Sequence, residues 1–228
     1  MTHLAEILRT RVQGDLLFDR FSRGRYATDA SLYQMMPLGI LSPKSEDDIA
    51  AALDVAREQG VSILSRGGGT SQCGQTVNEA LVLDNSQYFN GILQLDLENM
   101  RCVVRPGIVL DELNRALKPH GLWFPVDVST ASRATIGGMA GNNSCGGKSL
   151  RYGMMRDNVL SIDAFLADGS KHHFGLNGPA PSPEYQTLSD DMLRFGAREA
   201  QEIDARFPKV MRRVGGYNID ALTPGQTP

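Results

Sequence analysis

Ser65-Arg-Gly-Gly-Gly-Thr-Ser-Gln-Cys-Gly-Gln-Thr76 sets the reading of this chain, and a second glycine-rich run, Thr135-Ile-Gly-Gly-Met-Ala-Gly-Asn-Asn-Ser-Cys-Gly-Gly147, gives it meaning. The first run is entered from the apolar stretch Val61 to Leu64 and places Gly67, Gly68 and Gly69 before Thr70, Ser71 and Gln72. Without Cβ atoms in the way, successive backbone N–H groups can converge on an anion there. A phosphate suits such a nest.

Three phosphate-loop patterns compete. Gly69 to Thr76 matches the P-loop spacing G-x-x-x-x-G-K-[ST] except that Gln75 replaces the lysine that supplies the fixed positive charge. The residues after Thr76 read as a short strand, Ala80 to Asp84, where a P-loop needs a helix. A triphosphatase is therefore disfavoured. The dinucleotide fingerprint G-x-G-x-x-G fails because position 72 is Gln and no helix follows. What is left is a loop between strands whose donors hold a pyrophosphate.

The ordered set Arg66-Gly-Gly-Gly-Thr-Ser71, Val104-Arg-Pro-Gly107, Leu110-Asp-Glu-Leu-Asn114, Gly121-Leu-Trp-Phe-Pro125, Thr135-Ile-Gly-Gly138, Arg151-Tyr-Gly153 and Leu166-Ala-Asp-Gly169 resembles the FAD-binding domain of the vanillyl-alcohol oxidase / p-cresol methylhydroxylase (PCMH) superfamily. Within it, the likeness is greatest to FAD-linked dehydrogenases of D-lactate, glycolate and D-2-hydroxyglutarate. The resemblance implies an α+β fold of the PCMH type, two α/β subdomains with the flavin between them. An N-terminal helix and lead-in would occupy 1–35 and the FAD domain 36–228, subdivided near residue 90 and incomplete at its C-terminal end.

For the cofactor, the resemblance implies that Arg66, Gly67, Gly68, Gly69, Thr70, Ser71, Gln72, Gly74 and Gln75 surround the diphosphate. Pro125, Asp127, Thr135, Ile136, Gly137, Gly138, Gly141, Asn142, Asn143, Ser144, Cys145 and Gly146 would lie along the ribityl chain and ring. Relatives with covalent flavin carry histidine where this chain has Thr70, so the FAD is expected to be non-covalent. They also continue into a G-[ST]-E-G-T-[LF]-G-like segment on the adenine side and a separate substrate domain, which this sequence does not contain. The implied function is the FAD-binding domain or subunit of a dehydrogenase acting on a small 2-hydroxy acid, with an electron acceptor the sequence does not name. The alternative is a non-catalytic remnant or interaction domain of the same fold.

Composition sets the remaining bounds. A chain of 228 residues, 41% hydrophobic and 21% charged, is globular, and its net charge of −3 argues against nucleic acid as a partner. No apolar run reaches the ~20 residues of a membrane span, and the first residues lack a basic and apolar leader. A cytoplasmic location is expected. Cys73, Cys102 and Cys145 are widely spaced, suggesting neither a disulfide framework nor a metal site. His3, His120, His172 and His173 fall outside the flavin motifs, so no catalytic acid or base is assigned.

Local signals predict helices over Leu4–Val12, Glu46–Gln59 (Ser45 as N-cap, Gly60 as stop) and Asp111–Lys118, and a helical segment over Leu188–Phe207 interrupted or bent near Gly196. A β-α-β entry unit delivers the chain to the first glycine run. Hairpins are predicted for 92–105 and 161–174. Arg20, Arg23 and Arg25 read as solvated surface, as do Arg206, Lys209, Arg212 and Arg213. Trp123 to Pro125 pack a core or line a ring-shaped ligand. The second glycine run reads as too glycine-rich for a helix interior.

Overall fold

Residues 3–175, 178–210 and 217–222 are described by the computed structural model. Contacts divide the chain into two compact units, Met1–Met155 and Arg156–Pro228.

The first unit is built on a four-stranded sheet. Helix α1 (His3–Arg11), strand β1 (Asp15–Leu17), helix α2 (Arg20–Arg25), strand β2 (Gly39–Ser42), helix α3 (Glu46–Gln59), strand β3 (Ile63–Arg66) and strand β4 (Leu81–Asp84) follow in chain order. The sheet order is β1-β2-β4-β3; β1 is antiparallel to β2, whereas β2 and β3 both run parallel to β4. Every residue of β2 and β4 is buried, as parallel strands covered on both faces require.

Leu41, Leu81 and Leu83 pack with Leu8 of α1 and Ala52 and Val55 of α3, and Leu4, Ile7 and Ile49 flank them. The β2-α3-β3 crossover thus matches the predicted entry unit, and its cause is local. The Ser45 hydroxyl accepts from Asp48 N while the Asp48 carboxylate accepts from Ser45 N, a reciprocal cap. Gly60, at φ 63°, closes the helix. Asp48 also accepts from Gln13 N at 2.6 Å, fastening the N-terminal segment to the same helix start. The polar stretch with Arg20, Arg23 and Arg25 is itself helical, with Asp19 Oδ1 capping Ser22 N at 2.9 Å.

Beyond the sheet, β5 (Ile92–Asp96) and β6 (Arg101–Val104) form the predicted hairpin, and helix α4 (Leu110–Leu117) buries Leu110, Leu113 and Leu117. One expectation is corrected. The second glycine run does contain helix, α5 (Ile136–Gly141). Thr135 accepts from Gly138 N, Ile136 and Met139 are buried, and Asn143, at φ 44°, ends the helix with Asn143 N donating to Ala140 O and Ser144 N to Met139 O. Capping and two buried side chains outweigh the poor propensity of glycine over so short a helix.

In the second unit β7 (Ser161–Phe165) and β8 (Lys171–Gly175) form the predicted hairpin, with Asp163 opposite His173. Helix α6 (Pro183–Arg206) runs without interruption through Gly196. That glycine is buried against the Leu222 carbonyl, where a methyl group would not fit. Its role is close approach rather than breaking a helix. Arg206 and Lys209 pair with Glu202 and Asp204 on the surface; Arg212 and Arg213 lie outside the described residues.

Candidate functional site

Parallel strands present their carboxyl ends to one edge of a sheet, the usual place for a ligand in such arrangements. Here β3 ends at Arg66, paired in register with Asp84 at the end of β4. The chain leaves Arg66 directly into Gly67-Gly68-Gly69. Beside this edge lies a cavity of about 480 Å³, lined by Arg25, Tyr26, Arg66, Gly67, Gly68, Asp84, Ser86, Val109, Ser132, Arg133 and Thr135. That volume falls within the ~300–1,000 Å³ of ligand clefts.

The two glycine runs meet at this cavity. A Cβ added to Gly67 would collide with the Thr135 hydroxyl, and one added to Gly68 would collide with the Arg133 carbonyl. Segment 106–110 holds the second run in place: Leu110 N donates to Ala134 O at 3.0 Å, Ile136 N to Ile108 O at 2.9 Å, and Gly137 N to Pro106 O at 2.8 Å.

Hydrogen bonding distinguishes the runs. Among the described residues, no backbone N–H from Gly67 to Ser71 has an acceptor within the protein, whereas Ile136, Gly137, Met139, Asn142, Asn143, Ser144 and Gly146 all donate internally. Open donors on a glycine turn form an anion cradle. The residues present therefore fit a diphosphate at the first run, while the second run supplies a wall of close-packed backbone.

Arg66 braces the cradle. Only 8% exposed, its Nη1 donates to Tyr26 O (3.2 Å) and Thr76 O (2.7 Å), and its Nη2 donates to Thr28 O (2.7 Å). Burial lowers its pKa, with Asp29, Tyr26 and Asp84 pulling the other way. Tyr26 donates its hydroxyl proton to Asp84 Oδ2 at 2.6 Å, and its pKa is pushed up to about 12, first by burial and then by that bond. Asp84 Oδ1 accepts from Ser86 N and Oγ.

Other expected contacts are distributed more widely. Gly69 (φ 64°) and Gly74 (φ 77°) need the left-handed region, and Gly74 packs on the Tyr33 ring. Gln72 and Gln75 are exposed. Thr76 Oγ1 donates to Asp29 at 2.9 Å, so it is committed within the protein. Asp127 Oδ1 accepts from Lys148 N at 2.9 Å, and Gly146 lies tight on the Asp127 backbone, so this pair clamps the exit of the second run. Ile136 is buried. Trp123 is 42% exposed, edge-on to Tyr152 at 5.2 Å with Lys148 Nζ over its ring at 4.6 Å, so its indole is only partly buried.

Arg25, Tyr26, Asp84, Ser86, Ser132 and Arg133 belong to the cavity wall but not to the residues expected from sequence. Asp84 was recoverable as the last residue of a parallel strand. Ser132 and Arg133 immediately precede the second run. Tyr26 carries no local signal.

A family profile described as FAD binding domain matches residues 37–175. The D-2-hydroxyglutarate dehydrogenase of Pseudomonas putida is 36% identical over 227 residues, covering 94% of this chain and 22% of that protein. Glycolate oxidase subunit GlcD of Bacillus subtilis is 37% identical over 163 residues, covering 70% of this chain and 35% of that one. Among solved structures, 6-hydroxy-D-nicotine oxidase from Arthrobacter nicotinovorans superposes with a TM-score of 0.64 at 22% identity, over 72% of this chain and 36% of that one. The last likeness establishes the fold, α+β of the PCMH type. The chain thus spans about a fifth of the length of the dehydrogenase it matches.

Proposed function

This chain belongs to the FAD binding domain family, and from that premise we propose that it holds one FAD by its diphosphate at Gly67–Ser71, with the second glycine run against the flavin half. The observation that carries the proposal is the meeting of the two runs, at Gly67 against Thr135, beside backbone donors that the protein itself leaves open. Thr70 offers no imidazole for a covalent link, so the flavin is dissociable.

We assign the domain to an oxidoreductase acting on a small 2-hydroxy acid of the D-2-hydroxyglutarate, D-lactate or glycolate kind, a reading supported by the relatives' names. Bound FAD would supply the hydride acceptor at its N5. The residues of this chain bind, orient and shield the cofactor; the base and the cation that a hydroxy acid needs belong to a further domain or subunit. Among the described residues no helix is long and apolar enough to cross a membrane, and we retain a cytoplasmic location for the domain.

Flavin fluorescence on titration of the purified protein tests the reading. Saturable quenching, with all the flavin released on denaturation, is expected. Protein that neither carries flavin nor binds it at tens of micromolar would leave the remnant or interaction-domain alternative standing.

A further inference from the structure

Arg25, Arg66 and Arg133 line one cavity, and they differ in what they are free to do. We propose that Arg25 and Arg133 supply the positive charge that holds the diphosphate, while Arg66 is a positioning residue that shapes the loop; this rests on the FAD reading above.

A dinucleotide diphosphate is anionic, and backbone N–H groups offer only dipoles. P-loops add a lysine for this reason, and Gln75 cannot do so. The cation must come from elsewhere on the wall. Arg66 is the obvious candidate by sequence position and the poorest by geometry. Its guanidinium is buried, Nη1 donates to the carbonyls of Tyr26 and Thr76 and Nη2 to that of Thr28, and its Cζ lies 5.3 Å from the Tyr26 ring centroid. Gly69 packs against it at a φ of 64°. Withdrawing it to meet a phosphate would strand three carbonyls.

Arg25 and Arg133 are exposed, and among the described residues neither pairs with a carboxylate; Arg25 has only a ring contact, 6.0 Å from the Tyr26 centroid. The backbone of Arg133 lies directly over Gly68, so its side chain starts at the rim of the cradle. Asp84, the carboxylate on the same wall, spends its oxygens on Tyr26 and Ser86. Two exposed guanidinium groups on the cavity wall and one held by three carbonyls make a division of labour that FAD binding can expose.

FAD titrations at several ionic strengths, with inorganic pyrophosphate as competitor and thermal melting in parallel, test this on Arg25→Gln, Arg133→Gln and Arg66→Lys. Arg25→Gln and Arg133→Gln should each weaken FAD binding by about five- to tenfold, flatten its salt dependence, blunt competition by pyrophosphate and leave melting unchanged. Arg133→Lys should recover most of the loss. Arg66→Lys should lower the melting temperature in the absence of FAD. The opposite pattern overturns the proposal: wild-type salt dependence in both glutamine variants, with Arg66→Lys weakening FAD but not the fold. Wild-type protein that binds no FAD at all would instead remove the flavin reading on which this stands.

Discussion

Gly67 lies so close to Thr135 that no side chain fits between them. Along the second run the crowding is uneven: a Cβ on Gly137 would strike Pro106 and one on Gly146 would strike Asp127, whereas nothing lies within 4 Å of a Cβ built on Gly141. Gly67→Ala must push two segments apart and should lower both melting temperature and FAD affinity. Gly141→Ala should keep or raise the melting temperature, since alanine is favoured in a helix by up to about 1 kcal/mol. If it nevertheless weakens FAD severalfold, the space beside Gly141 belongs to the cofactor; unchanged affinity would remove Gly141 from the site.

The α3 cap offers a stability reference outside the cavity lining. Ser45→Ala removes the hydroxyl that accepts from Asp48 N and should cost about 1 kcal/mol, or roughly 2–4 °C of melting temperature for a domain of this size. FAD affinity should not change. A calorimetric scan with and without FAD checks both.

Tyr26 gives a pH signature. Its folded-state pKa is raised from 10.0 to about 12, so the folded protein keeps a proton that the unfolded chain loses. The contribution is fully present below pH 10 and is lost as pH rises towards 12. Tyr26→Phe should remove the tyrosinate absorbance that develops near pH 12 and flatten the loss of stability between pH 10 and 12. A tyrosine titrating near 10 in its place would show that Tyr26 is not held by Asp84.

Thr70 predicts dissociable flavin. After acid precipitation of FAD-loaded protein, all the yellow colour should stay in the supernatant; colour in the pellet would indicate a covalent bond made elsewhere in the chain.

Much of this was legible because it is local. Ser45, Asp48 and Gly60 delimit α3 by hydrogen bonds within a few residues, and the alternation in 92–105 and 161–174 marks both hairpins. Strand β1 and helix α2 escaped notice because three residues are too few to show a period and Phe21, in α2, is 79% exposed. Helix α5 was missed because its stability comes from Thr135, Ile136 and Met139 rather than propensity. In the site, the glycine runs announce themselves, but Tyr26, Asp84 and Arg133 arrive from three separate segments. Only the pairing of β3 with β4 and the bonds from 106–110 to 134–137 bring them together. Proximity of that kind leaves no pattern in sequence.

Amide NMR of the isotopically labelled protein during FAD titration reports on both glycine runs at once. The amides of Gly67, Gly68 and Gly69 and those of Gly138 and Gly141 should shift along one saturation curve with a common midpoint. Shifts confined to one run, or a flat response in both, would contradict the placement of a single flavin nucleotide between them.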